Sequence, residues 1–134
     1  ASGLLCAIEC AKNPALEVDV YEQNSKIGKK ILVSGNGKCN ITNIHASKDD
    51  YSSQNPEFVN FALKTFPFKA FEKFTSDIGL VLVTNDDGKV YPMSYEAKSV
   101  TSLLQSKALK LGVNIKTDTK IKSIKPLFKN YDNV

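Results

Sequence analysis

Ser34, Gly35, Asn36 and Gly37 place two glycines and two small polar residues in four consecutive positions, and the densest chemistry of the chain lies around them. Glycine reaches positive φ without penalty and carries no Cβ. Such a segment can therefore turn backbone N–H groups toward one point, and a flat ring or a diphosphate can approach it closely. Lys29, Lys30 and Lys38 surround it with positive charge, and Asn40, Thr42 and Asn43 add side chains able to orient polar ring edges or phosphate oxygens. On composition alone, a mobile glycine loop that holds nothing is the plainer reading of these residues.

A second, sparser constellation is Gly3 and Glu22. Gly3 opens a helical pattern where the third glycine of G-x-G-x-x-G would stand, and Glu22 follows at a strand end, near the roughly 20-residue spacing of a ribose-binding acid. A small residue at a helix start and an ordinary loop acid would look the same. In a nucleotide-binding βαβ unit a central strand precedes the glycine turn, and no such strand precedes Ala1. The expectation is a domain whose first strand is missing, with strand residues 18–21 lacking a partner on one side or borrowing one from another chain.

The remaining reactive groups carry weaker signals. Cys6, Cys10 and Cys39 form no CxxC and leave one thiol over in any pairing, which fits a reducing, cytoplasmic setting. A dithiol relay through Cys39 would need Cys6 or Cys10 beside it, so packing is the expected role of Cys39. His45, the single histidine, is either a general base or a solvated loop residue. Asp86-Asp87 reads as a turn pair, and no metal site is expected.

The elements that must position these residues follow from periodicity and punctuation. Residues 3–12 form a helix from Leu4, Ala7, Ile8 and Ala11, ended by Asn13-Pro14, and residues 16–21 form a strand with Val18 and Val20 on one face. Residues 23–55 read as a long functional loop with one apolar stretch, Ile31-Leu32-Val33. Helices are expected at 57–66 (Phe58, Phe61, Ala62, Leu63) and 68–78, the second with Phe71 and Phe74 inward and Gly79 as its stop. Strands 80–84 and 89–91 flank the turn Asn85-Asp86-Asp87-Gly88, and Ser94 caps a helix over 95–111 striped by Ala97, Val100, Leu104, Ala108 and Leu111. Strands 113–116 and 120–124 close the chain. The order is that of an α/β domain with a small α+β insertion: helix, strand and glycine loop over 1–55, insertion over 56–93, helix and closing strands over 94–134.

Bulk properties exclude some classes. The 134 residues and 42% hydrophobic content suit one globular domain, and no apolar run approaches the roughly 18 residues that cross a bilayer. The net charge of +4 comes from 18 lysines and no arginine, which argues against nucleic acid as a partner because planar guanidinium favours base and phosphate recognition. A lysine-rich interaction or nucleic-acid-binding module, and an NAD(P)-binding dehydrogenase-type module, remain the competing classes.

The loop GKKILVSGNGKCNITN resembles the segment that marks the BaiN/YhiN-like, or aminoacetone-oxidase-family, FAD-dependent oxidoreductases. That pattern runs close to G-x-K-x-x-x-S-G-x-G-R-C-N-x-T-N, matched here by Gly28, Lys30, Ser34, Gly35, Gly37, Cys39, Asn40, Thr42 and Asn43. Residues 88–94 (GKVYPMS) are similar to the family's G-x-x-F-P-x-S, and the opening Ala1-Ser2-Gly3-Leu4 to the end of its G-G-G-A-S-G-L. Lys38 departs from the usual arginine and Tyr91 from the usual phenylalanine. The resemblance implies a partial Rossmann-like, glutathione-reductase-like FAD-binding domain from the N-terminal part of a longer flavoprotein oxidoreductase. It implies that Gly3 and its helix N-terminus meet the diphosphate, that Glu22 meets the adenosine ribose, and that Lys30, Ser34, Gly35, Gly37, Cys39, Asn40 and Thr42 line the groove toward the ring. Strand 120–124 would offer backbone to the adenine edge. Substrate, oligomeric state and reductant (NADH, NADPH or the substrate itself) are left open, and no catalytic residue is assigned.

Overall fold

The computed structural model describes residues 1–52 and 54–123. Helix α1 (Ser2–Cys10) buries Leu4, Ala7 and Ile8 along one stripe, and the turn after it is closed by Asn13, whose side chain accepts the Ala15 N–H at 3.0 Å. The chain then enters β1 (Asp19–Tyr21), which pairs in parallel with β5 (Asn114–Lys116), Val20 opposite Ile115. Among the described residues no strand lies on the other edge of β1. The strand is shorter than residues 16–21: Leu16 is exposed, whereas Val18 and Val20 both pack on the core.

Residues 23–55 are not one loop. Gly28, left-handed at φ 73°, starts the short helix α2 (Lys29–Val33), and Ile31 plugs the core. A Cβ on Gly28 would stand 2.6 Å from Thr101 Cγ2, so α2 is pressed onto the crossover helix α5 (Ala97–Lys110). A 3₁₀ turn at Ser34–Gly37 and the strand β2 (Thr42–Asn43) follow, then a second 3₁₀ turn at Lys48–Asp50 closed by a Ser47–Asp50 capping box. Periodicity misses these elements because each is shorter than two helical turns or one strand alternation.

Helices α3 (Pro56–Thr65) and α4 (Phe68–Asp77) lead to β3 (Leu82–Thr84) and β4 (Lys89–Pro92). The four-residue turn between the strands is closed by Gly88 N–H to Asn85 O at 2.9 Å and Asn85 N–H to Lys89 O at 2.9 Å. β4 pairs antiparallel with β3 on one side and with β2 on the other, so the glycine-rich segment and the hairpin share one sheet.

The crossover helix begins two residues later than expected, with Glu96 rather than Ser94 at its N-cap. Tyr95 is held left-handed at φ 52° while its N–H closes a turn on Pro92 O, and Ser94 Oγ lies 2.6 Å from Ser99 Oγ. The expected stripe is present: Ala97, Val100, Leu104 and Ala108 are buried, joined by Thr101, and pack with α1 around Ile8. The expected strand over 120–124 is not formed at residues 120–123, and Ile124 lies outside the described residues. After β5 the chain turns at Asp118 (φ 53°), and the N–H groups of Asp118 and Thr119 go to Asn24 O and Glu22 O, so no ladder continues. Ile121 is exposed, which leaves that segment no buried face. Residues 120–123 therefore offer no strand to an adenine edge.

Candidate functional site

The segment from Gly28 to Asn43 is positioned from both ends. At its start α2 rests on α5; at its end Ile41 N–H bonds Val90 O at 2.8 Å and Ile44 N–H bonds Gly88 O at 2.9 Å. Between them Gly35, Asn36 and Gly37 are all left-handed, at φ 54°, 53° and 82°, and Cys39 is left-handed at 59°. A Cβ on Gly35 would lie 2.7 Å from Asn40 N, so this glycine is required by crowding as well as by φ. A Cβ on Gly37 would meet nothing within 4 Å. The turn is also less of an open anion nest than its composition suggests. Lys38 N–H and Cys39 N–H are spent on Gly35 O and Ser34 O, both at 3.0 Å, because the tight left-handed run brings those carbonyls within reach.

Lys30, Ser34, Cys39 and Asn40 meet at one cavity of about 360 Å³, with Ala1 at the N-terminal end of α1 on its rim. Leu5, Ile31, Leu80, Val100 and Leu104 give it an apolar floor, and Phe71 and Phe74 reach it from α4. Ser34 Oγ donates to Ile31 O at 2.7 Å, which keeps its lone pairs available as acceptors. Cys39 is buried in the core cluster, whereas Cys6 and Cys10 are exposed on α1, so the three thiols are not assembled as a relay. The Cys6 thiol beside Cys10 pushes the Cys10 thiol up, away from the reactive thiolate.

Glu22 stands apart from that cavity, just beyond β1 where its N–H bonds Lys116 O at 2.9 Å. Its Oε1 accepts the Asn24 backbone N–H at 2.8 Å and Asn24 Nδ2 at 2.6 Å, and Lys29 Nζ holds Asn24 Oδ1 at 3.0 Å. These hydrogen bonds, the backbone one first, hold the Glu22 carboxyl below its ordinary range, so it is an ionised, acceptor-only group at neutral pH. Gly3 lies in the first turn of α1, and a Cβ there would meet nothing within 4 Å. Thr42 does not border that cavity and lines two others instead.

Two residues gained a role that sequence reading did not assign. Asn24 aligns Glu22, a role signalled only by its place two residues on, the spacing of a local side-chain turn. Asn43 latches the two signature segments together: Nδ2 donates to Asp87 O at 3.1 Å, and Oδ1 accepts the His45 N–H at 2.8 Å. Gly88 makes room for that latch, since a Cβ there would stand 2.7 Å from Asn43 Oδ1. Their joint presence in the two motifs was the available signal.

Comparison with known proteins places the chain in a family. The family model described as "HI0933-like protein Rossmann domain" matches residues 1–132. The 3-dehydro-bile acid delta(4,6)-reductase of Clostridium scindens is 36% identical over 126 residues, covering 93% of this chain and 31% of the relative. The ribosomal RNA dihydrouridine synthase of Haemophilus influenzae is 35% identical over 115 residues, covering 86% of this chain and 28% of the relative. The Escherichia coli protein of the same name is 27% identical over 124 residues, or 92% of this chain and 30% of that protein. The chain thus spans about a third of the length of these relatives. Among the described residues no helix is long and apolar enough to cross a membrane. With a partly formed parallel sheet, its helices in the βαβ order, and a family match over nearly its whole length, the chain belongs to the HI0933-like Rossmann-domain family, whose relatives include an oxidoreductase.

Proposed function

We propose that this chain is the FAD-holding part of an oxidoreductase that adds hydrogen across a carbon–carbon double bond activated by an adjoining carbonyl. The observation that carries the reading is the cavity that collects Lys30, Ser34, Cys39 and Asn40 at the N-terminal end of α1. Its apolar floor and polar rim fit a flat ring system with heteroatoms on its edges. The open backbone at Gly3, in the first turn of α1, suits a diphosphate at a helix N-terminus, and the aligned, ionised Glu22 suits a ribose hydroxyl pair. Bound there, the flavin supplies two-electron chemistry; Lys30, Ser34 and Asn40 orient its edge, and the apolar floor excludes water.

The relatives' names point to the type of bond. A delta(4,6)-reductase and a dihydrouridine synthase both saturate carbon–carbon double bonds, in a steroid acid and in an RNA. These substrates share little besides that bond. Hydride adds to such a carbon readily only where the negative charge left on its neighbour is delocalised, which is what an adjoining carbonyl provides.

The test is FAD titration of the purified protein, followed by anaerobic reoxidation of the reduced flavin with cyclohex-2-enone. Yellow protein with a raised melting temperature, whose reduced flavin is reoxidised by the enone, is the expected result. A colourless protein indifferent to FAD refutes the cofactor assignment; bound flavin that the enone never reoxidises refutes the bond assignment.

A further inference from the structure

The Asn40–Asn43 segment also borders a second cavity of about 400 Å³, separate from the one proposed to hold the flavin ring. Asn40, Thr42, Asn43, His45, Asp50 and Tyr51 line it together with Ala46, so its wall is polar on balance, unlike the apolar floor of the first cavity. Asn40 also borders the apolar cavity assigned above to the flavin ring, and the two spaces are therefore neighbours across one residue. The sole histidine of the chain is thus placed beside the cofactor groove.

His45 is held there by fixed parts of the fold. Its backbone N–H is anchored on Asn43 Oδ1 at 2.8 Å, and Ile44 N–H is tied to Gly88 O at 2.9 Å. The imidazole edge rests directly over Gly88: a Cβ there would stand 2.5 Å from His45 Cδ2 and 3.0 Å from Nε2. Asp50 is already engaged with Ser47, its Oδ2 accepting the backbone N–H at 2.8 Å and standing 3.1 Å from Oγ. Across the hairpin turn Asp87 is paired with Lys89 at 2.6 Å. Both neighbouring carboxylates therefore have partners other than the imidazole.

We infer that this polar cavity receives the carbonyl end of the substrate and that His45 is the proton donor of the reduction. The inference rests on the proposed flavin chemistry. As hydride from the reduced flavin reaches the β-carbon, the electron pair of the double bond moves toward the carbonyl oxygen and gives an enolate. The α-carbon then takes a proton from the protonated imidazole, whose N–H bond breaks as the new C–H bond forms. The flavin is oxidised, the alkene is reduced by two electrons and two hydrogens, and neutral His45 regains its proton from water. Imidazole is suited to this because a ring nitrogen can give up a proton and take it back, and the Thr42 side chain can bond the carbonyl oxygen as charge builds on it.

The experiment uses the flavin-loaded protein, its His45→Gln variant and cyclohex-2-enone as probe. Flavin content and the rate of flavin reduction by dithionite should be unchanged in His45→Gln, while anaerobic reoxidation by the enone slows about 100-fold, within the usual range for loss of a general acid. Independently of turnover, the imidazole NMR resonances assigned to His45 by their loss in the variant should shift when the enone is added to the oxidised protein. A variant that holds flavin normally and reoxidises within two-fold of the parent overturns the assignment of His45, as does an imidazole resonance unmoved by saturating enone. Failure of the parent protein to take up FAD overturns the flavin reading and removes His45's role with it, so the two failures are told apart by colour.

Discussion

The glycine-rich segment at residues 28–43 and helix α3 put their apolar side chains to opposite use. In the first, a mostly polar stretch, Ile31 and Cys39 are buried in the core, α2 is pressed onto α5, and β2 is tied to β4. In the second, an amphipathic helix begun by Pro56 at its first turn, Phe58 is 72% exposed and Phe61 68%, and none of its described side chains is buried. Its packing within the chain is chiefly against the 3₁₀ turn at Lys48–Asp50. Apolar content therefore does not locate the core. Burial follows where a second element supplies cover, and crowding at a few glycines marks that contact more sharply than hydropathy does.

The comparison can be broken most directly at its glycines. Gly35→Ala combines a left-handed φ with a Cβ 2.7 Å from Asn40 N, and should destabilise the protein by about 2–3 kcal/mol and release bound flavin. Gly37→Ala bears only the φ penalty, about 1 kcal/mol, since its Cβ meets open space. Urea midpoints of the two variants decide the point; equal losses would mean that crowding at Asn40 is not what shapes the turn. Next in size is Asn43→Ala, which removes the bonds to Asp87 O and from His45 N and should cost about 1–2 kcal/mol. Amide exchange should quicken at Ile44 in that variant, and unchanged protection there would show that the latch is idle.

Helix α3 predicts the contrary behaviour. Phe58→Ser and Phe61→Ser should leave the melting temperature of this chain nearly unchanged, within about 0.5 kcal/mol, because neither ring is covered. A loss of the size expected for Asn43→Ala would mean that α3 packs against more than the 3₁₀ turn. The smallest effect concerns charge. Hydrogen bonding to Lys116 holds the Asp19 carboxyl below its ordinary range, Asn24 does so for Glu22 and Lys89 for Asp87. A carboxyl depressed in the folded state contributes stability above its unfolded value, and that contribution is lost as pH falls through the folded one, at the acid end of the ordinary carboxylate range. All three groups are solvent-screened, so the acid limb should be shallow. Asp19→Asn should flatten it slightly, and an identical limb in that variant would count against the Asp19–Lys116 pair.

Much of this molecule was legible from side-chain order. Leu4, Ala7 and Ile8 on α1 and the Ala97–Ala108 stripe on α5 recur at helical spacing, and one continuous face is what buries them. Asp-Gly before Lys89 made the hairpin turn readable, because the left-handed position at Gly88 is a local demand. Of the residues that the motif groups, Lys30, Ser34, Cys39 and Asn40 line one cavity, whereas Gly35, Gly37 and Thr42 do not border it. The left-handed turn at Tyr95, the loss of a strand at residues 120–123, the exposure of α3 and the latch at Asn43 were not readable in that way. Each depends on a partner distant in sequence or on the absence of cover, as when Asn43 meets Asp87 across the sheet or Thr119 N–H turns to Glu22 O. Local patterns determine elements through the geometry of a single turn or strand. Which backbone groups those elements satisfy, and which faces they hide, is decided only when the elements meet, since hydrogen bonds and burial both require a second surface.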